Sequence, residues 1–264
     1  MLTEAKNQLK ISILSIKYAI MREMLNKVTF LSNIFFMILN NASFIIQWII
    51  LYSIKDNVGG YTLKQVYLLW GLAASTYGVA HFFFKNAFSL SETINNGKLD
   101  SYLVQPKNVL LSAITTNVEP SALGDLLYGY IMLFLSGITL SKFILFTILS
   151  ILGGISITGI SIILSSLSFW FQKTDMITST HHSLMTSFAT YPEGIFKGVV
   201  KIILFTIVPV GIVNYIPIRI LTEFNIYLFL IVFLVATLLT TLSFIIFNIG
   251  LKKYSSSNLM IAKM

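Results

Sequence analysis

FILFTILSILGGISITGISIILSSLSFWF, residues 143–171, runs for 29 residues without an Asp, Glu, Lys, Arg or His. A helix needs roughly 20 apolar residues to cross about 30 Å of hydrocarbon, so this stretch can span a bilayer with residues to spare. Residues 28–54 and 224–251 are equally free of ionisable side chains, and residues 65–84 hold only His81. The rest of the chain suits the same solvent. Of its 264 residues 56% are hydrophobic and 11% charged. Soluble domains carry about a quarter charged residues, so most of this surface faces lipid. The apolar runs are continuous and do not alternate with polar residues, which argues against an outer-membrane β-barrel.

Two regions are less regular. Residues 122–141 make a short third span beginning near Asp125. Residues 176–218 are too long for one helix and are interrupted by Tyr191-Pro192, Lys197, Lys201, Pro209 and Pro217. They divide into a fifth span, 176–191, and a broken hairpin, 192–218, that dips into the membrane and returns. Irregular backbone at that depth is tolerated only where protein or a water-filled cavity satisfies it. The predicted fold is an all-α integral membrane protein: six transmembrane helices, with a re-entrant helical hairpin between the fifth and sixth, forming a single transmembrane domain over residues 1–264.

Six spans leave both ends on one side. That side collects twelve Lys and Arg, Lys173 and Lys263 among them, against six on the other. Basic loops stay in the cytoplasm, so both termini and residues 85–108 are expected there. The net charge of +8 then reports topology and contact with anionic lipid rather than nucleic acid. Within residues 1–27, Leu9, Ile13, Ile16, Ile20 and Met24 recur every three or four positions, apart from Lys10, Lys17 and Lys27. That spacing describes an amphipathic helix lying in the membrane interface, which also serves as a positive anchor. No compact apolar stretch with a small-residue cleavage site follows, so the segment does not read as a cleavable signal.

Catalytic chemistry is sparse. The only Gly-Lys pair, Gly97-Lys98, is followed by Leu99, so no phosphate-binding loop of the form G-x-x-x-x-G-K-[ST] exists. There is no cysteine, hence no disulfide and no thiolate metal site. His181 and His182 are adjacent and point about 100° apart on a helix, so they do not share a metal as an i, i+4 pair would; a buried polar contact or a pore-lining pair fits better. His81 is expected at the cytoplasmic end of the second span beside Lys85. Glu119 and Asp125 flank the start of the third span. An acid inside a membrane is a functional group by default, but near a span end it reaches the headgroups, and the interfacial placement is preferred over a proton relay or ion site. Phe82-Phe83-Phe84 and Phe169-Trp170-Phe171 fall at cytoplasmic span ends, where aromatic belts anchor a chain.

One polar stretch stands out among the apolar ones: LSETINNGKLDSYLVQP, residues 90–106. Its Ile94, Gly97, Leu99, Asp100, Tyr102, Leu103 and Pro106, spaced I-x-x-G-x-L-D-x-Y-L-x-x-P, resemble the cytoplasmic loop of ABC-2 family permeases. Tyr191-Pro192, Ile195-Phe196, Ile207-Val208-Pro209 and Asn214-Tyr215-Ile216-Pro217 resemble the same family's broken segment before the last span. The resemblance implies a fold like that of the ABC-2, or type V, exporters. It also implies a permease subunit, not itself an enzyme, exporting a drug, peptide or lipid-like substrate. Two permease chains, identical or related, would pair, and residues 85–108 of each would dock on one of two ATPase subunits. ATP and Mg belong to those subunits, with no cofactor in this chain, and the expected location is a bacterial plasma membrane.

Under that resemblance Gly97 permits a sharp turn or a close approach by another chain, and Pro106 disfavours helix at Gln105. Leu99, Tyr102 and Leu103 would form an apolar docking face, rimmed by Glu92, Lys98 and Asp100, as a specific interface requires. Tyr191, Pro192, Pro209, Asn214 and Pro217 would belong to the re-entrant, gating element. The competing expectation is an ion-coupled carrier or channel acting without an ATPase, which would call for internal repeats and charges near the midplane.

Overall fold

The computed structural model describes residues 2–171 and 174–255; Lys173 and Lys263, counted in the orientation argument, lie outside the described residues. Along the described residues twelve α-helices follow one another: α1 (Leu2–Glu23), α2 (Lys27–Tyr52), α3 (Leu63–Phe84), α4 (Leu90–Asn95), α5 (Asp100–Leu103), α6 (Val109–Ile114), α7 (Ser121–Gly137), α8 (Leu140–Ser166), α9 (Thr174–Ala189), α10 (Gly198–Thr206), α11 (Ile216–Thr222) and α12 (Ile226–Leu251). The described residues contain no strand, only an isolated bridge between Val58 and Tyr61. Four of these helices, α2, α3, α8 and α12, are long and apolar enough to cross a membrane. The apolar α7 has 17 residues, and the more polar α9 has 16. Helix α10 and the segment Gly211–Thr222 pass the same test only together, bent by 78°.

Local chemistry sets the boundaries. Asn26 accepts from Thr29 N at 3.1 Å, Asn108 from Leu111 N at 3.0 Å and Asn225 from Tyr227 N at 2.9 Å, each capping the helix that follows. Gln65 Oε1 accepts from Thr62 N at 2.8 Å at the start of α3. Helix α7 stops at Gly137, whose φ of +98° leaves the helical region. Thr139 then caps α8 through Lys142 N at 3.3 Å. Helix α7 therefore ends at 137, inside the residues 122–141 expected to form a third span, and Lys142, expected in a loop, lies in the first turn of α8.

Helix α3 occupies the middle of the bundle, buried over most of its length, while α2 and α12 keep most of their surface exposed. Glycines make this placement possible. A Cβ on Gly71 of α3 would lie 2.8 Å from Gly129 O of α7, and one on Gly78 would lie 2.9 Å from Ala122 O. On its other side α3 meets α8: a Cβ on Gly153 would lie 2.8 Å from Thr76, and one on Gly154 only 2.6 Å from Val79. Lipid supplies no hydrophobic drive between helices, so small residues that let backbones approach are what hold such a bundle together. The hydroxyls of Ser156, Thr158 and Ser166 donate to the carbonyls four residues earlier at 2.6–2.8 Å, which spends their polarity inside α8.

At the end of the bundle where α2 and α9 finish, Glu193 gathers the broken segment. Its two carboxylate oxygens accept from Arg219 at 2.7 and 2.6 Å, and Lys201 lies 2.8 Å away; the glutamate side chain is 6% exposed. Burial alone would push this carboxyl up. The hydrogen bonds and charges of Lys201 and Arg219 outweigh that and hold it below the usual 4.5. Between those two anchored limbs, Ile207 O reaches His181 Nε2 at 3.1 Å, about two turns in from the end of α9.

At the opposite end α1 lies against the bundle. Ala19, Ile16 and Ile20 pack on Phe82, Val118 and Ala122, whereas Leu9, Ile13 and Met24 stay exposed with Tyr18 and Met21. The expected single stripe is thus split, its inner part taken by protein and its outer part left for lipid. The aromatic clusters are split too. Phe82 is buried, and Phe169 packs on Phe247 at 5.5 Å, so only Trp170 and Phe171 remain as outward anchors.

Gly71→Leu should cost about 1–3 kcal/mol through overpacking and lower the thermal midpoint of the detergent-solubilised protein, whereas Leu234→Ala on exposed α12 should leave it unchanged; size-exclusion-coupled thermal scans check both. Because the Glu193 carboxyl is depressed, its contribution is complete above pH 4.5 and fades as pH falls through its lower folded value. The protection of residues 198–222 against hydrogen exchange, corrected for the intrinsic pH dependence of exchange, should fall in that acidic window in the wild type, and be low and pH-independent there in Glu193→Ala.

Candidate functional site

The polar stretch at 90–106 is built on the end of α3. That helix runs through a 3₁₀ turn, Lys85–Ser89, directly into α4. Gly97, at φ +70°, then reverses the chain into α5. Leu90, Ile94 and Leu99 are each 0% exposed and pack with Leu110 of α6, Ile162 of α8 and Phe247 of α12. Gly250 of α12 is the floor of this seat, since a Cβ there would lie 2.7 Å from Phe169 Cγ. Tyr254 Oη donates to Asp100 Oδ1 at 2.9 Å. Burial, helped by that hydrogen bond, pushes the phenol up to about 12, so it stays protonated at any physiological pH.

A polar relay secures the other flank. Arg22 donates to Asn117 at 2.6 Å, Asn117 to Asn86 at 2.8 Å, and Asn86 to Thr116 at 2.9 Å; Thr116 in turn shares a 3.0 Å hydrogen bond with the Tyr102 hydroxyl. Lys85 pairs with Glu119 at 2.6 Å.

The face expected from Leu99, Tyr102 and Leu103 is not one surface. Leu99 points inward because the chain reverses at Gly97, and Tyr102 is half-buried by its bond to Thr116. What projects is Leu103, 42% exposed, and Val104, 84% exposed. Of the expected rim, Glu92 and Lys98 pair with each other at 3.2 Å in the open, while Asp100 is turned toward Tyr254; Pro106 is exposed.

The residues of the broken segment gather at the other end and do not meet this group. Tyr191 is exposed with its ring edge-on to Trp48 at 5.9 Å. Pro192 is buried against Gly59. Pro209 is buried ahead of the π-helical turn Gly211–Tyr215, and Pro217, also buried, opens α11. Asn214 is 0% exposed, and neither its carbonyl nor its amide nitrogen has a hydrogen-bond partner among the described residues. A single-turn π-bulge with an unpaired polar side chain is a local irregularity of the kind found at functional sites.

A third place was not anticipated. A cavity of about 260 Å³ lies among α2, α3, α7 and α9, lined among others by Asn41, Trp70, Tyr77, His81, Asp125 and His182. Asn41 Nδ2 donates to Asp125 Oδ1 at 2.6 Å. Asp125, expected at the interface, is instead held between helices, because its partner lies halfway along α2. His81, in the last turn of α3, is packed among side chains: its ring lies 4.2 Å from Phe88 and 5.0 Å from His182. The sequence signal was present in Asn40-Asn41, an adjacent amide pair in the middle of a span free of ionisable side chains. Among the described residues no group of three His, Cys, Asp or Glu could hold a metal ion.

Comparison with curated proteins gives no match, and neither does comparison with solved structures. A family model described as ABC-2 family transporter protein matches residues 19–258. Since that match takes in every helix from α2 to α12, the chain belongs to the ABC-2 transporter family and is a multi-pass membrane protein of the permease type.

Proposed function

We propose that this chain is the permease subunit of an ATP-binding-cassette exporter in which two permease chains, identical or related, work on two separate ATPase subunits holding ATP and Mg. Six spans, α2, α3, α7, α8, α9 and α12, return both termini to the cytoplasm of a bacterial cell, across the plasma membrane. Helices α7 and α9 reach roughly 24–26 Å at 1.5 Å per residue, a deficit that tilt of their neighbours and local thinning absorb. Helix α10 and Gly211–Thr222 form the re-entrant hairpin. Cargo would be a drug, peptide or lipid-like molecule.

One observation carries this reading: residues 85–108 present an exposed apolar tip, Leu103-Val104, on a base buried between α3, α8 and α12. A docking element has to be apolar at its centre, polar at its rim and rigid enough to pass a displacement on. Glu92, Lys98, Gln105, Pro106 and Lys107 are exposed around the tip and supply the rim. Ile94, Gly97, Leu99, Asp100 and Tyr102 act behind it as the mount. The ion-coupled carrier remains the second reading, favoured by Asp125 between the helices. Transport by the purified chain in proteoliposomes without any ATPase would establish it and overturn the first.

Leu103→Asp combined with Val104→Asp should reduce stimulation of the partner ATPase at least about tenfold, the scale of losing an interface hot spot. The thermal midpoint should hold, because both side chains already face water. Unchanged stimulation would move the docking surface elsewhere. Asn214→Leu should raise the thermal midpoint, since an unpaired buried amide costs about 1–3 kcal/mol, and should slow transport if the π-turn works as a gate; stability and transport measured on one preparation separate the two effects.

A further inference from the structure

The cavity among α2, α3, α7 and α9 takes no part in the coupling described for the loop. Among the described residues Asp125 is the one carboxylate in its lining, and no Lys or Arg lines it. Lys85, the basic residue a turn beyond His81, is occupied by Glu119 at 2.6 Å. Asp125 therefore has a single neutral donor among the described residues, Asn41, at 2.6 Å. A carboxylate surrounded by helices and lipid without a cation is expensive to maintain and marks a place where something else supplies the charge.

The walls indicate what that is. Trp70, stacked on Phe44 at 6.0 Å, and Tyr77, edge-on to His182 at 5.3 Å, present ring surface to the cavity. Aromatic faces around one negative group attract an organic cation, whose charge meets the carboxylate while its substituents lie on the rings. A bare metal ion fits poorly: hard cations want six or more oxygen ligands, and one carboxylate with one side-chain amide falls well short. The volume of about 260 Å³ lies just under the ~300–1,000 Å³ of drug-sized sites, enough for a head group with its ring rather than a whole large molecule. Asn40, at the rim, is exposed, so a tail could leave along α2.

We propose that this cavity recognises the cationic head of a lipophilic organic cation, with Asp125 as counter-charge, Asn41 positioning its carboxylate, and Trp70 and Tyr77 as the walls. The inference rests on the exporter reading and narrows its cargo to amphipathic amines and onium ions.

The test uses the full chain in lipid nanodiscs without an ATPase, titrated with radiolabelled methyltriphenylphosphonium. Saturable binding is expected, weakened at least tenfold in Asp125→Asn and retained within threefold in Asp125→Glu. A second measurement needs no variant: carbodiimide modification of Asp125, read by mass spectrometry, should be slowed by methyltriphenylphosphonium and not by tetraphenylborate, a lipophilic anion of similar shape. Absence of saturable binding, equal affinity in Asp125→Asn, or equal protection by Na⁺ or tetraphenylborate overturns the proposal. The exporter reading is scored separately, by transport in proteoliposomes without any ATPase, so such transport with intact cation binding removes the exporter reading and leaves the site, and ATPase-dependent transport without cation binding removes the site alone.

Discussion

Where Gly71 faces Gly129, two helix backbones lie so close that a single methyl group would strike a carbonyl oxygen. That contact, repeated at Gly78 on one side and mirrored by Gly153 and Gly154 on the other, puts α3 in the centre of the bundle with α7 and α8 against it. Apolar side chains gain nothing by leaving lipid for a lipid-like interior, so the arrangement depends on fit rather than on hydrophobic drive. The cavity and the polar loop are then both attached to α3. Its middle supplies Trp70 and Tyr77 to the cavity, and its end passes through Lys85–Ser89 into the polar loop. A shift of the loop is therefore a shift at the end of the central helix, with no flexible joint between them.

The long spans were legible because an uncharged run of more than 20 residues is hard to accommodate as anything but a membrane helix. Gly97 was legible as well, since a polar loop needed a reversal and only glycine adopts φ near +70° without strain. Short elements were not. The stop of α7 at Gly137 and the cap at Thr139 depend on two residues inside a continuous apolar stretch, where hydropathy has no contrast. The orientation of Leu99 was hidden for a different reason. It is covered by Phe247, almost 150 positions away, and loop composition says nothing about a cover that distant in the chain. His182 was weighed against its sequence neighbour, whereas its ring partner is His81 on another helix.

The two ends of the broken segment handle polarity in opposite ways. Glu193, Arg219 and Lys201 satisfy one another, so the limbs are fixed where they enter and leave. At the turn between them, Asn214 is enclosed with no partner among the described residues, and Ile207 borrows a histidine from α9 for its carbonyl. A buried unpaired amide is tolerated only when the surroundings hold it there, and the proline-flanked π-turn is such a surrounding. Firm ends and a polar, imperfectly satisfied apex leave the apex as the part of the segment with most to gain from rearranging.

Phe247 and Tyr254 have a consequence for how the molecule is made. Translation delivers the loop well before α12, and domains assemble in the order the ribosome releases them. Until α12 inserts, Leu90, Ile94 and Leu99 have lost one wall of their seat, and Asp100 lacks Tyr254. Until then the nascent chain carries an unfinished loop whose apolar residues lack part of their cover. Only a chain in which α12 has packed presents a sealed one, so the same contact that stiffens the loop also reports that α12 has arrived.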